Sequence, residues 1–153
     1  MLKIAKLTDY AFVVLGTLVE QGRGKVSAAW VSQQSGLPEP TVGKILKTLA
    51  RGGIVESVRG ANGGYFLSGD ADHISVADVI IAMEGPIALT ACVEGSEDQC
   101  TVEHKCPMKG QWSPVNMIIQ TALETVSLRD IVRLKKDPAG LDISKEDIKE
   151  VFL

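Results

Sequence analysis

Apolar residues in the first half of the chain recur at helical spacing, and glycines punctuate them. From Thr8 onward Ala11, Val14, Leu15, Leu18 and Val19 follow an i, i+3, i+4, i+7 rhythm that Gly22 and Gly24 stop, which predicts a first amphipathic helix. Ser27 is placed to cap a second, short helix over Ala28 to Gln34, closed by Gly36. After the turn Gly36-Leu37-Pro38-Glu39, Pro40 suits the first position of a third helix. Val42, Ile45, Leu46 and Leu49 give that helix a buried face, and Gly52-Gly53 ends it. Helix, short turn, helix is the outline of a helix-turn-helix unit.

The period then changes to two. Ile54-Val55-Glu56-Ser57-Val58 alternates apolar and polar, Arg59-Gly60-Ala61-Asn62-Gly63-Gly64 interrupts, and Tyr65-Phe66-Leu67 resumes, which predicts a hairpin with a glycine-rich tip. Following directly on a helix-turn-helix unit, such a hairpin is a wing. Ser75, with Asp78 at the capping-box position, opens a further helix through Met83. Ser113-Pro114 opens a long helical stretch with Val115, Ile118, Ile119, Ala122 and Val126 on one face. A small winged domain already has its core, so this stripe is predicted to pack against its twin in a homodimer. The expected fold is mainly α with a small β-hairpin. It comprises a winged helix-turn-helix domain over residues 1–84, a cysteine-bearing loop at 85–112, a dimerisation helix region at 113–134 and a charged C-terminal tail at 135–153.

Composition narrows the class of protein. A chain of 153 residues with 45% hydrophobic and 23% charged residues suits one core-forming domain with an appended dimerisation element. No apolar run approaches the roughly 20 residues that cross a bilayer, and the start, Met1 to Asp9, lacks the apolar stretch of an export signal. The expectation is a cytoplasmic protein with no membrane partner. The net charge of -3 conceals segregation: residues 1–69 carry eight Lys or Arg against four acids, a net +4, which leaves -7 for the remainder. A basic front half points to a localised anion-binding surface. Within it, Thr41, Lys44 and Lys47 lie on the exposed face of the third helix, where phosphate contact is the natural role for the lysines. Arg59, at the root of the wing, is placed to enter a narrow minor groove. Gly60, Gly63 and Gly64 let the backbone turn sharply and approach phosphates closely.

The three cysteines all fall in one short segment, Cys92-x7-Cys100-x5-Cys106. An odd number in a reducing compartment is no disulfide framework, and clustered thiols there form a metal or redox site more often than a staple. Zinc and iron-sulfur clusters are the main candidates, because thiolates favour soft ions.

Four features together resemble the winged-helix iron-sulfur-sensing transcription regulators typified by IscR and NsrR. They are Lys6-Leu7-Thr8-Asp9-Tyr10-Ala11, the helix-turn-helix with Gly36-Leu37, the wing Val58-Arg59-Gly60-x-x-Gly63-Gly64-Tyr65 and the three-cysteine loop. The resemblance covers about Leu2 to Val132 and is nearest to the regulators of the SUF iron-sulfur assembly system. It implies a homodimer that binds a double-stranded DNA operator under the control of a 2Fe-2S or 4Fe-4S cluster held by Cys92, Cys100 and Cys106. A nitric-oxide or redox-sensing repressor is the alternative within the same family. Where the IscR type places a histidine ligand three residues after the last cysteine, this chain has Lys109. In the NsrR type an aspartate at the start of the first helix reaches over from the partner subunit, and Asp9 matches it. Asp9 is therefore the first choice of fourth ligand and His104 the second. The first cysteine gap is also wider than is usual in the family.

Two readings from other classes compete. A small zinc enzyme would use the cysteines and His104, but a catalytic zinc needs an open position and a general base, and the chain has no His-x-Glu or comparable motif. A winged-helix module that binds only protein is disfavoured by the segregated positive charge.

Overall fold

The computed structural model describes residues 3–134 apart from Glu97; the expected charged tail, 135–153, lies outside the described residues. Helix α1 (Lys6–Gln21) packs with α2 (Ala28–Ser35) and α3 (Glu39–Arg51), and the hairpin β1 (Val55–Val58) and β2 (Gly64–Leu67) follows. Helix α4 (Val76–Glu84), a 3-10 turn at Glu103–Lys105, α5 (Ser113–Glu124) and α6 (Leu128–Leu134) complete the order.

Local chemistry accounts for most boundaries. The Ser27 side chain accepts a hydrogen bond from the Trp30 amide at 3.1 Å to start α2, and Gly36, at φ 74°, ends it in the left-handed region. Ser75 and Asp78 form the reciprocal capping box of α4. Helix α1 begins at Lys6, two residues before the expected Thr8. No side chain caps it; instead the Glu84 carboxylate at the end of α4 accepts from the Ala5 amide at 3.0 Å, a tertiary contact that local patterning does not announce.

The core lies where α1, α3 and the hairpin meet. Ala11, Val14, Leu15 and Leu18 of α1 close on Val42, Ile45, Leu46 and Leu49 of α3, with Val31, Val55 and Val79 filling the remaining sides. Each large side chain so enclosed contributes roughly 1.5–3 kcal/mol of burial. The hairpin is antiparallel with Ser57 opposite Tyr65 and Val58 opposite Gly64. A third extended residue joins its edge, because Val26 and Tyr65 exchange amide-carbonyl bonds at 3.0 and 2.8 Å. The wing is thereby tied to the chain just before α2.

The long helix expected from Ser113 through Val126 is interrupted. Helix α5 stops at Glu124, and Val126 lies outside it, its carbonyl accepting from the Val76 amide at 2.8 Å. The cause is a competing start signal. Ser127 and Asp130 form a second reciprocal cap, with the Asp130 amide donating to Ser127 Oγ at 3.1 Å and the Ser127 amide to Asp130 Oδ2 at 3.0 Å. Asp130 is correspondingly held below the ordinary carboxylate range by its hydrogen bonds from Ser127. The chain turns back and buries Leu128 completely in the core. Arg129 clasps Asp70 at 2.9 Å and Asp72 at 2.8 Å, and the hydrogen bond from Arg129 draws Asp70 down to about 2.

Candidate functional site

Two groups of residues stand out, one on α3 and the wing and one in the cysteine segment. The amphipathicity that buries Val42, Ile45, Leu46 and Leu49 necessarily turns Lys44 and Lys47 outward, where both are exposed; Thr41, in the first turn, is half-buried. Arg59 is exposed at the root of the wing. Lys44, Lys47 and Arg59 are all exposed cations contributed by α3 and the wing that follows it.

The wing glycines are required by the backbone itself. Gly60 has φ 105° and accepts from the Gly63 amide at 2.9 Å. A Cβ on Gly63 would collide with the Val58 carbonyl, and one on Gly64 would lie 2.8 Å from the Val26 carbonyl. These positions shape the tip and lay it against Val26, whatever else the wing touches.

Gly43 differs, and sequence patterning passed over it. It sits in the interior of α3 with ordinary helical φ, and outside the backbone of its own helix an added Cβ would meet nothing within 4 Å among the described residues. Interior helical glycine costs about 1 kcal/mol relative to alanine, and neither packing nor conformation asks for it here. The only signal in the sequence is a glycine between Val42 and Lys44 in an otherwise regular helical pattern.

In the second group Cys92, Cys100 and Cys106 are all free and half-buried. They ride on successive short turns, with Gly95 and Gly110 in positive φ, and the hydrogen bonds described within 90–113 are mostly local, such as Lys105 to Val102 and Lys109 to Cys106. The Cys92 sulfur lies 3.3 Å from the Thr90 hydroxyl. His104 is exposed in the 3-10 turn, and Asp9 is exposed in the first turn of α1. Beside Asp9, Thr8 is buried with its hydroxyl unpartnered among the described residues. Three thiols suit a soft-metal group in kind. Among the described residues, however, no three His, Cys, Asp or Glu side chains converge on one point, so a single chain does not present a preformed metal cage. Thiolate sites commonly assemble together with the metal, because binding and local folding are coupled.

The stripe on α5 is incompletely covered. Val115 is 40% exposed and Met117 51%, with Trp112 and Met108 also exposed just before the helix, while Ile118, Ile119 and Ala122 are half-buried. The helix's buried residue is polar: Asn116 donates from Nδ2 to the Ile87 carbonyl and accepts at Oδ1 from the Leu89 amide, both at 2.9 Å. Among the described residues no helix is long and apolar enough to cross a membrane.

Known proteins share this fold. A family model described as Rrf2, iron-dependent transcriptional regulator, matches residues 4–134. The HTH-type transcriptional regulator IscR of Xenorhabdus nematophila is 31% identical over 120 residues, covering 78% of this chain and 72% of that one. The regulator NsrR of Bacillus subtilis is 25% identical over 146 residues, covering 95% and 100%. Among solved structures, that of CymR, the global cysteine regulator of B. subtilis, superposes with a TM-score of 0.64 at 28% identity, covering 86% of this chain and 97% of that one. T. potens IscR superposes with a TM-score of 0.63 at 27% identity, covering 95% and 96%.

Proposed function

The chain belongs to the Rrf2 family of transcriptional regulators, which are not enzymes, and from that premise we propose a cytoplasmic homodimer whose operator binding is controlled by an iron-sulfur cluster. Cys92, Cys100 and Cys106 hold the cluster, Asp9 of the partner subunit is the first candidate for the remaining ligand, and His104 is the second. The genes controlled are those of SUF-type iron-sulfur assembly, in keeping with the resemblance drawn from the motifs. The observation that carries this reading is the placement of three free, half-buried thiols between the winged domain and a helix with an incompletely covered apolar stripe. When bound, the cluster supplies a redox- and iron-responsive charge at that junction. The chain's own residues do the rest: the thiolates anchor, α5 pairs with its twin, and the two α3-wing surfaces are set at a fixed separation for a two-fold symmetric site. Anaerobic purification with an absorption spectrum and iron and sulfide analysis tests the reading. A colourless protein carrying zinc or no metal after anaerobic reconstitution defeats it.

On the DNA side, Thr41, Lys44, Lys47 and Arg59 make the contacts, and Gly60, Gly63 and Gly64 bring the wing backbone to the phosphates. Arg59→Ala is expected to weaken specific binding by about 1–3 kcal/mol with dimerisation intact. Lys44→Ala and Lys47→Ala are expected to weaken binding to all sequences and to flatten its salt dependence by about one unit each. Operator titrations at several salt concentrations separate the two effects, and an unaltered slope removes the lysines from the phosphate contacts.

Gly43 belongs to the same surface as a clearance position, where the missing Cβ lets the helix backbone approach DNA. Gly43→Ala is expected to raise stability by about 1 kcal/mol through helix propensity while lowering operator affinity. Thermal melts beside the same titration check both signs, and a variant that gains stability and keeps its affinity shows that the clearance is unused.

A further inference from the structure

Asn116 is the buried residue of α5 and a polar one, at 6% exposure, in a helix whose apolar side chains stay partly in solvent. It sits 27 and 29 residues along the chain from the two backbone groups it grips, the Leu89 amide and the Ile87 carbonyl. Its amide is doubly used: the nitrogen donates to a carbonyl and the oxygen accepts from an N–H, so only a carboxamide of this length meets both. Leaving such buried groups unpaired costs roughly 1–3 kcal/mol each, which makes the register between helix and segment specific. Four residues beyond Leu89 the chain is anchored again, where Val93 is 5% exposed and lines a cavity with Asn116, Ser113 and Met117. Cys92 lies between these two anchors, whereas Cys100 and Cys106 follow on turns.

We propose that Asn116 is a positioning residue that fixes Cys92 against α5, so that what the thiol binds is felt in the helix that pairs the two subunits. This rests on the cluster-controlled regulator argued above. Seating Cys92 on a ligand group moves the segment between Leu89 and Val93, and the paired hydrogen bonds of Asn116 pass that displacement to α5. Side chains with two discrete arrangements and paired backbone bonds are a physical means by which one site biases another.

The test uses full-length dimer in three forms: wild type, Asn116→Ala and Asn116→Gln. The glutamine variant keeps the amide and moves it by one methylene, so it remains informative if the alanine variant fails to fold. The first measurement is the ratio of operator Kd between cluster-loaded and cluster-free protein. We expect that ratio to shrink toward one by about fivefold or more in the variants, with iron content per chain unchanged. The second, in metal-free protein, is iodoacetamide labelling of the individual cysteines followed by mass spectrometry. Cys92 should label several-fold faster in the variants relative to Cys106. A residue that only stabilises the fold would lower the melting temperature and leave the Kd ratio as it was, and that outcome overturns the proposal. Unchanged selectivity of Cys92 labelling overturns it as well. A wild-type ratio of one removes the cluster-control reading together with this proposal, whereas a wild-type ratio away from one that the variants preserve removes only the role of Asn116.

Discussion

Replacing Cys92, Cys100 or Cys106 singly with serine is expected to abolish the proposed iron-sulfur cluster or badly destabilise it, while leaving a folded dimer. Serine oxygen is a harder and far less readily ionised donor than thiolate, so two remaining thiols do not hold a cluster that needs three. The structure says what should survive. All three cysteines are free and half-buried on turns rather than packed in the core, so in the metal-free protein the exchange of sulfur for oxygen is expected to change stability by no more than about 0.5 kcal/mol. Visible absorption with iron and sulfide analysis reads the loss, and sedimentation reads the dimer. Asp9→Ala is expected to act more gently, altering the spectrum and leaving a cluster on three thiolates, with His104→Ala milder still. A changed spectrum in the histidine variant beside an unchanged one in the aspartate variant reverses the order of the two candidates. Full iron and sulfide content in any single cysteine variant removes that cysteine from the site.

The second large effect concerns Leu128. Leu128→Ala is expected to cost about 3 kcal/mol, since the side chain is wholly enclosed at the junction of α6 with the core. For a chain of this size that is roughly a 10 °C drop in melting temperature. The loss has a directional consequence as well. The Leu128 amide donates to the Ile74 carbonyl at 2.7 Å, and this short stretch returns the end of α5 to the winged domain. Loosening it should therefore reduce operator affinity through the relative placement of the two halves. By contrast Val115→Ala, on the partly exposed face of α5, should leave the isolated fold nearly unchanged and shift dimer dissociation to higher protein concentration, as sedimentation at several concentrations reads. Equal melting temperatures for Leu128→Ala and wild type would show that the anchor is dispensable.

The winged domain was legible because its signals are local and mutually consistent. The stripe of Val42, Ile45, Leu46 and Leu49, the Ser27 cap, the Gly36 stop and the glycine tip each point to the same element that the structure contains. The exposure of Lys44 and Lys47 was legible by the same route, since a helix that buries one face must expose the other. What escaped was tertiary. Asn116 reads as an ordinary polar-face residue until Ile87 and Leu89 are placed beside it, and Leu128 reads as the start of a tail until the chain is seen to turn back. The break between α5 and α6 did leave a trace, the pair Ser127 and Asp130 at capping spacing, but the apolar period through Val126 spoke more loudly. The crowding of three cysteines into one segment was legible by number and spacing alone, whereas among the described residues no three His, Cys, Asp or Glu side chains converge, and that is a matter of geometry that spacing does not contain.

The short bridge between Ser75 and Ser127 gives the molecule an architecture of tolerance. The chain beyond α4 leaves the winged domain and comes back to the point where α4 begins, held by the Val76 and Leu128 amides. Past α4, whose packing on α1 and α3 belongs to the core, this excursion can change in length without moving its own ends. Doubling the length of a flexible loop costs only about 0.6 kcal/mol of closure entropy. A cysteine gap of this width is thus tolerated, and the insert can vary in length while the winged half keeps its shape.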